Sequence, residues 1–338
     1  MSRSWQQTLY GHLALARVSN SPTVVSNTLA GAALAGALRL DGPMCLVAIA
    51  MVLFYTAGMY LNDLLDYAID CRERAERPLP AGIVSRSTAA AVVIVLLGSG
   101  SMLLWSVGLR PFLSGLVLIA LIICYDRWHK SNPLSPLLMA LCRVMVYVTA
   151  FLAFSSQSLF NLLIPGCLLM LYVIGLTCIA KRENKPIVAL AEFGEELRGQ
   201  GGSKPQQGGG KPRPYYTRAW RAASSYSRGG ACPRPASGSA MNVGILATLF
   251  LPTLYFVTRL PLFSLPLILL FTAWVGYSIS FTYRSQKRQI GRTIGQLIAG
   301  ISLLDSLVLA ASGSVLGTAF ALVAFGLTLY LQRYVRGT

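Results

Sequence analysis

The chain has 338 residues, 54% of them hydrophobic and only 12% charged, with a net charge of +17 and a mean hydropathy of +0.57. Because the apolar residues are gathered in long runs, this composition excludes a soluble globular domain and predicts an all-α, polytopic membrane protein. The basic residues are spread over the loops between those runs. Attraction to the anionic headgroups of membrane lipids explains the charge, and no nucleic-acid partner is expected.

Ten apolar stretches are candidate transmembrane helices, so we expect a bundle of nine or ten spans. In chain order they are 12–38, 44–66, 86–107, 110–125, 134–153, 160–181, 242–259, 261–284, 291–312 and 314–334. In this arrangement most of the 29 Lys and Arg residues fall on one side of the membrane. This asymmetry predicts that both termini lie in the cytoplasm. We expect a multi-pass integral protein, of a bacterial inner membrane.

The most informative segment ends the second span, where the chain reads YLNDLLDYAIDCRERAERPLPAG from Tyr60 to Gly82. Four oxygen-bearing side chains fall within about 100° of one helix face: Asn62, Asp63, Asp66 and Asp70. Carboxylates at this spacing repel one another, and a hard divalent cation relieves the repulsion. Three arginines follow at once: Arg72, Arg74 and Arg77. Guanidinium groups bind phosphate oxygens, so the segment predicts a cytoplasmic Mg²⁺ and diphosphate site. The alternative is a polar loop that only solvates the ends of two spans.

Residues 187–240 differ from the rest of the chain, because they are rich in Gly, Pro, Ser and Arg and show neither helical nor alternating periodicity. We expect a disordered cytoplasmic insertion there. It would separate an N-terminal half of the bundle, 1–186, which carries the acidic motif, from a C-terminal half, 241–338. The seven cysteines contain no CxxC pair and lie mostly in spans, which indicates packing and not a disulfide framework.

Two isolated charges lie inside predicted spans, Arg143 in the fifth and Asp305 in the ninth. Charges at membrane depth face a partner or a cavity. They are either a buried ion pair that joins two helices or groups that bind an acceptor substrate. Asn27 in the first span is likewise either a packing amide or an acceptor contact. We expect His129 at the lipid interface.

The acidic segment resembles the UbiA superfamily of intramembrane prenyltransferases. NDLLDYAID matches that family's NDxxDxxxD pattern, and RPLPAG is similar to its continuation. The SNTLAG segment at 26–31 is also similar, so the resemblance covers residues 12 to about 186. The segments 125–130, 135–147 and 294–307 most resemble the EboC-type branch of the superfamily.

This resemblance implies a helical bundle around a central cavity that binds a polyprenyl diphosphate through Mg²⁺. The prenyl group would pass to an aromatic or other lipophilic acceptor. The implied metal ligands are Asn62, Asp63, Asp66, Asp70 and Glu183, with Asp63 and Asp66 essential for catalysis. The implied diphosphate-binding residues are Arg72, Arg77, Lys130, Lys181, Arg182 and Lys185. Tyr125, with Asn27, Arg143 and Asp305, is left as either an acceptor contact or a structural group.

The sequence departs from the family pattern at two places. Where many members carry DxxxD at the end of the sixth span, residues 177–185 contain one carboxylate, that of Glu183. The YxxxK pattern becomes Tyr125 with His129 at the lysine position and Lys130 next to it. These departures leave open an alternative of another class, a non-catalytic carrier or transporter that binds isoprenoid phosphates.

Overall fold

The computed structural model describes residues 5–36, 38–129, 132–155, 159–199, 243–283 and 287–335, without the side chains of 182–199, 263, 283 and 287–290. These residues form twelve α-helices. The helices are α1 (Trp5–Leu15), α2 (Ser21–Leu34), α3 (Gly42–Leu65), α4 (Tyr67–Glu73), α5 (Arg86–Val107), α6 (Leu109–Trp128), α7 (Ser135–Phe154), α8 (Phe160–Gly199), α9 (Val243–Arg259), α10 (Leu265–Ser280), α11 (Lys287–Ala311) and α12 (Val315–Leu331).

The long helices have the length and apolarity needed to cross a membrane. Six candidate spans lie in α3, α5, α6, α7, Phe160–Lys181 of α8 and Gly291–Ala311 of α11. The helices α9, α10 and α12 are shorter and apolar. The predicted all-α membrane bundle is therefore confirmed, and the chain is a multi-pass membrane protein.

Helix α2 lies at the centre of the bundle, where it packs against α3, α7, α11 and α12. Gly31 makes one of these contacts possible. A Cβ atom added there would lie 2.6 Å from the carbonyl oxygen of Tyr147 on α7. The two backbones therefore approach more closely than any larger residue permits, which is how small residues bring membrane helices together.

The first predicted span, 12–38, is wrong as a single helix. Helix α1 ends at Leu15, and Arg17 adopts the left-handed conformation with φ 44° and ψ 46° before a 3₁₀ turn at Val18–Asn20. Pro22 in the first turn of α2 has no N–H to continue a helical ladder from the preceding residues. The break leaves Arg17 on the side of the bundle that carries the acidic motif.

The acidic motif crosses the junction of α3 and α4, where the sequence predicted a single helix. Asp66 stands between them with φ −82° and ψ −4°. Helical hydrogen bonding nevertheless continues through it: the Asp66 N–H donates to the Asn62 carbonyl at 2.9 Å, and the Asp70 N–H donates to the Asp66 carbonyl at 2.9 Å. The motif therefore bends slightly but keeps its side chains on one side.

Helix α8 extends to Gly199, past the predicted domain boundary at residue 186. Residues 200–242, most of the predicted insertion, lie outside the described residues. The division into an N-terminal half, an insertion and a C-terminal half therefore stays a prediction. Helices from both sides of the segment pack together, since α11 and α12 both contact α2.

Candidate functional site

The acidic motif forms a buried cluster at the junction of α3 and α4. The four residues of this acidic cluster retain between 4% and 9% of their exposure: Asn62, Asp63, Asp66 and Asp70. Buried carboxylates need a positive partner or hydrogen-bond donors. The alternative interpretation, a polar loop that only solvates the ends of two spans, does not fit this burial.

Two arginines face the acidic cluster. Arg77 Nη1 lies 2.7 Å from Asp70 Oδ2 and 3.4 Å from Asp63 Oδ1. Arg17 Nη2 lies 3.4 Å from the same Asp63 oxygen. Arg77 was predicted to bind diphosphate, whereas Arg17 was not, because its approach depends on the break between α1 and α2. Arg72, which was also predicted, is exposed on α4.

Helix α6 adds two groups that the sequence analysis did not assign to the site. Asn62 Nδ2 donates to Asp126 Oδ1 at 3.1 Å. His129 Nε2 lies 3.7 Å from Asp66 Oδ2, and its ring stacks on Tyr125 with 5.2 Å between the centroids. The ring of His129 faces the acidic cluster, a contact that the expected position at the lipid interface did not include. The Tyr125 to Lys130 segment was noticed for its family resemblance alone.

The remaining predicted cations are only partly described. Lys181 Nζ donates to the carbonyl oxygen of Asn132 at 2.8 Å, so the lysine joins α8 to the α6–α7 turn. Lys130 and the side chains of Arg182, Glu183 and Lys185 lie outside the described residues. Their predicted contacts with metal or diphosphate stay predictions.

A cavity lies between α2, α3, α6 and α7, and Asp126, the hydrogen-bond partner of Asn62, is part of its wall. It contains about 590 Å³ of empty space, including its open mouth. Its walls are mainly apolar, with a few polar groups at its two ends. The lining residues are Val24, Met51, Tyr55, Gly58, Met59, Leu118, Ile122, Tyr125, Asp126, Met139, Cys142, Arg143 and Val146.

A second polar network borders this cavity through Arg143, and Asn27 is its centre. Asn27 Nδ2 donates to Asp305 Oδ1 at 2.8 Å, and Arg143 Nη1 donates to Asn27 Oδ1 at 2.8 Å. Tyr147 and Ser26 also donate to the Asp305 carboxylate. The structure does not contain the direct ion pair that was one of the two alternatives for these charges: within the part of the chain that it describes, no salt bridge joins Arg143 to Asp305, and the amide of Asn27 connects them.

The donor set of the acidic cluster fits Mg²⁺ by its chemistry, since this ion prefers carboxylate and amide oxygens. Asp126 Oδ2 is buried and has no hydrogen-bond partner among the described residues, as expected of an oxygen awaiting a cation or a donor. The same residues contain no group of three or more acidic, His or Cys side chains already arranged to hold a metal. Asp63 and Asp70 are paired instead with Arg17 and Arg77, so metal binding would require these two carboxylates to rotate.

Comparison with known proteins identifies the relatives of this chain. A family model described as the UbiA prenyltransferase family matches residues 24–183. Digeranylgeranylglyceryl phosphate synthase of Methanothermobacter thermautotrophicus is 29% identical over 123 residues, 36% of this chain and 42% of that protein. The synthase of Methanoregula boonei is 33% identical over 125 residues, 36% and 44% respectively. The chain thus spans about two-fifths of the length of these relatives.

A solved structure gives the fold independently. A UbiA homolog from Archaeoglobus fulgidus bound to GPP and Mg²⁺ superposes with a TM-score of 0.55 at 14% identity, over 91% of this chain and 99% of that one. At this identity the likeness establishes the UbiA-like fold. The curated relatives found are digeranylgeranylglyceryl phosphate synthases, so the expected EboC-type branch is not supported.

Proposed function

Because residues 24–183 belong to the UbiA prenyltransferase superfamily, we propose that this protein is an Mg²⁺-dependent intramembrane prenyltransferase. It moves a prenyl group from a polyprenyl diphosphate to an aromatic or other lipophilic acceptor. The observation that carries the proposal is the position of the acidic cluster: buried carboxylates and two arginines meet beside Asp126, which accepts a hydrogen bond from Asn62 and also lines an apolar cavity. The excess of Lys and Arg in the loops on one side of the membrane supports a cytoplasmic position for the acidic cluster.

Each polar group in or beside the acidic cluster has a role in the proposed reaction. The oxygens of Asn62, Asp63, Asp66 and Asp70 would hold Mg²⁺, and the bound ion would supply positive charge against the charge that develops on the leaving diphosphate. Arg17 and Arg77 bind the remaining diphosphate oxygens through charge-assisted hydrogen bonds. Asp126 supplies a further buried carboxylate. It lies on α6, and residues 177–185 of α8, where many members of the family carry two acids, contain one carboxylate, that of Glu183.

The cavity wall suits the reactive half of the donor. The C1–O bond breaks, diphosphate leaves with the bonding electrons, and an acceptor atom forms the new bond to C1 while its proton passes to the departing diphosphate. The apolar wall excludes water from the allylic cation during this exchange. The rings of Tyr55 and Tyr125 line the same space and stabilise positive charge through their faces.

The test is diphosphate release by the purified protein in liposomes. Geranyl, farnesyl and geranylgeranyl diphosphates are supplied with Mg²⁺ or EDTA, and a membrane-lipid extract provides the acceptor. We expect Mg²⁺-dependent release coupled to a labelled lipid product. Asp63→Asn should lower the rate by about 100-fold or more, as does the loss of other preorganised charged groups.

Asp41→Asn is the matched control, because it makes the same chemical change at the opposite end of α3. Asp41 caps that helix by accepting from the Met44 N–H at 3.1 Å, and Asn caps equally well. Equal turnover by the Asp63→Asn and parent proteins would contradict the proposal. Tight Mg²⁺-dependent binding of the diphosphate without release would instead support the carrier alternative.

A further inference from the structure

The end of α6 places Asp126 and His129 opposite the acidic cluster. The His129 N–H donates to the Tyr125 carbonyl at 2.8 Å, so helical geometry continues through His129. Asp126 and His129 are three residues apart and therefore share one face of this last turn. On α3, Asn62 and Asp66 share a face at a spacing of four. The two faces meet twice: Asn62 bonds Asp126 at 3.1 Å, and His129 Nε2 lies 3.7 Å from Asp66 Oδ2.

One oxygen of the Asp126 carboxylate lacks a partner. The residue retains only 4% of its exposure. Its Oδ1 accepts the bond from Asn62, whereas Oδ2 has no hydrogen-bond partner among the described residues. Buried polar atoms are nearly always paired, and an unpaired buried carboxylate is costly. The bond to Asn62 turns this carboxylate towards α3, so a cation held between the two helices would remove the cost.

His129 has the orientation of a metal ligand. Its Nδ1 lies 3.2 Å from the carbonyl oxygen of Asp126, and because that oxygen can only accept, Nδ1 donates. In the neutral ring this leaves the lone pair of Nε2 on the side of Asp66. Stacking on Tyr125, with 25° between the planes, also holds the ring. Histidines that bind metals usually donate their other ring N–H to a carbonyl or carboxylate in this way.

The distance between His129 and Asp66 fits two ligands of one ion better than a hydrogen bond. At 3.7 Å it exceeds the range of N–H···O bonds. Ligand atoms about 2.1 Å from a shared ion are about 3.0–3.4 Å apart at octahedral or tetrahedral angles. Within the described residues the ligand atoms do not yet converge on one point. Small rotations of the Asp66 and Asp126 side chains would bring them together.

We propose that Asp66, Asp126 and His129 bind a second divalent cation, next to the Mg²⁺ of the proposed function. The inference rests on that function, because Asp66 belongs to both ligand sets. An imidazole with two carboxylates favours a first-row transition ion such as Mn²⁺, whereas Mg²⁺ prefers oxygen ligands alone. His129 stands at the lysine position of the YxxxK pattern. A histidine-bound ion would therefore supply the positive charge that a lysine supplies there.

The experiment examines Mn²⁺ bound to the tag-free, full-length protein in nanodiscs by electron paramagnetic resonance. Geranylgeranyl thiolodiphosphate serves as a non-reactive donor analogue. We expect about two Mn²⁺ per chain and a nitrogen hyperfine coupling from an imidazole ligand. His129→Gln should abolish this coupling, and both His129→Gln and Asp126→Asn should weaken the second ion by about tenfold or more. His12→Gln is the matched control and should keep the coupling, because His12 is the only other histidine of the chain and bonds Tyr60.

The parent protein alone can overturn the inference. A bound Mn²⁺ without nitrogen coupling does so, even where the variants fail to fold. Coupling that persists in folded His129→Gln, or an unchanged second-ion affinity in folded Asp126→Asn, also overturns it. Prenyl transfer is measured in parallel with Mg²⁺ as the only metal. Transfer without nitrogen coupling removes this site and leaves the proposed function standing, whereas coupling without transfer does the reverse.

Discussion

Substitution of Arg77 by glutamine should change the affinities for metal and for diphosphate in opposite directions. In the structure its guanidinium bridges Asp70 at 2.7 Å and Asp63 at 3.4 Å. The arginine therefore competes with a cation for these carboxylates, but it offers hydrogen-bond donors to a diphosphate. A residue with a merely structural role would weaken both affinities together.

The size of the effect follows from these distances. With the Arg77 and Asp70 charge centres about 4 Å apart and an effective dielectric constant of about 20, the attraction is about 4 kcal/mol before desolvation. Desolvation of partly buried groups offsets much of it. We therefore expect Mg²⁺ to bind Arg77→Gln about tenfold more tightly in the absence of donor. Loss of a charge-assisted hydrogen bond, about 1.5–3 kcal/mol, should weaken donor binding by about tenfold or more.

The assay is titration calorimetry in nanodiscs, first with Mg²⁺ alone and then with geranylgeranyl diphosphate at saturating Mg²⁺. Arg74→Gln is the matched control, because it removes an arginine three residues away that makes no described ion pair with the acidic cluster. The control should match the parent protein in both titrations. Parallel weakening of both ligands by Arg77→Gln, or no change in either, would refute the reasoning.

Three further substitutions test the remaining parts of the structure. Asp126→Asn keeps the shape of the side chain but removes its charge, and should lower the rate of diphosphate release by about tenfold or more; a parental rate would exclude Asp126 from the site. Gly31→Ala should cost about 1–3 kcal/mol in thermal unfolding, because its Cβ would lie 2.6 Å from a carbonyl oxygen, whereas Gly98→Ala has open space and should not destabilise. Tyr147→Phe removes the donor 2.6 Å from Asp305 and should cost a similar amount, so an unchanged unfolding temperature would contradict that bond.

The apolar spans could be predicted from the sequence because a membrane helix satisfies its backbone hydrogen bonds within its own segment. A long apolar run in the sequence is therefore enough to indicate a span. The predicted span 86–107 and the observed α5 (Arg86–Val107) agree closely for this reason. The first span failed because a single left-handed residue, Arg17, interrupts it. Composition cannot register such a break, although Pro22 was a local signal for one.

The acidic motif could be predicted from local spacing, since its side chains share one face of a nearly continuous helix. Asp126 could not, because it reaches Asn62 only when α6 packs against α3, 64 residues along the chain. A carboxylate two residues from the end of an apolar helix was the available signal. The bridge from Arg143 through Asn27 to Asp305 was missed in the same way, because three helices must meet before an amide can separate two charges.

In the proposed function, the arrangement of charge at the acidic cluster would let Mg²⁺ and diphosphate both enter without leaving a buried ion unpaired. Asp63 and Asp70 are paired with Arg17 and Arg77, and an unpaired buried carboxylate or guanidinium would be costly. A metal that takes the carboxylates frees the arginines, and a diphosphate then takes the arginines. Each ligand therefore lowers the cost of binding the other, which is a positive coupling between them. Arg77→Gln removes one side of this exchange, so its opposite effects on metal and diphosphate measure the coupling directly.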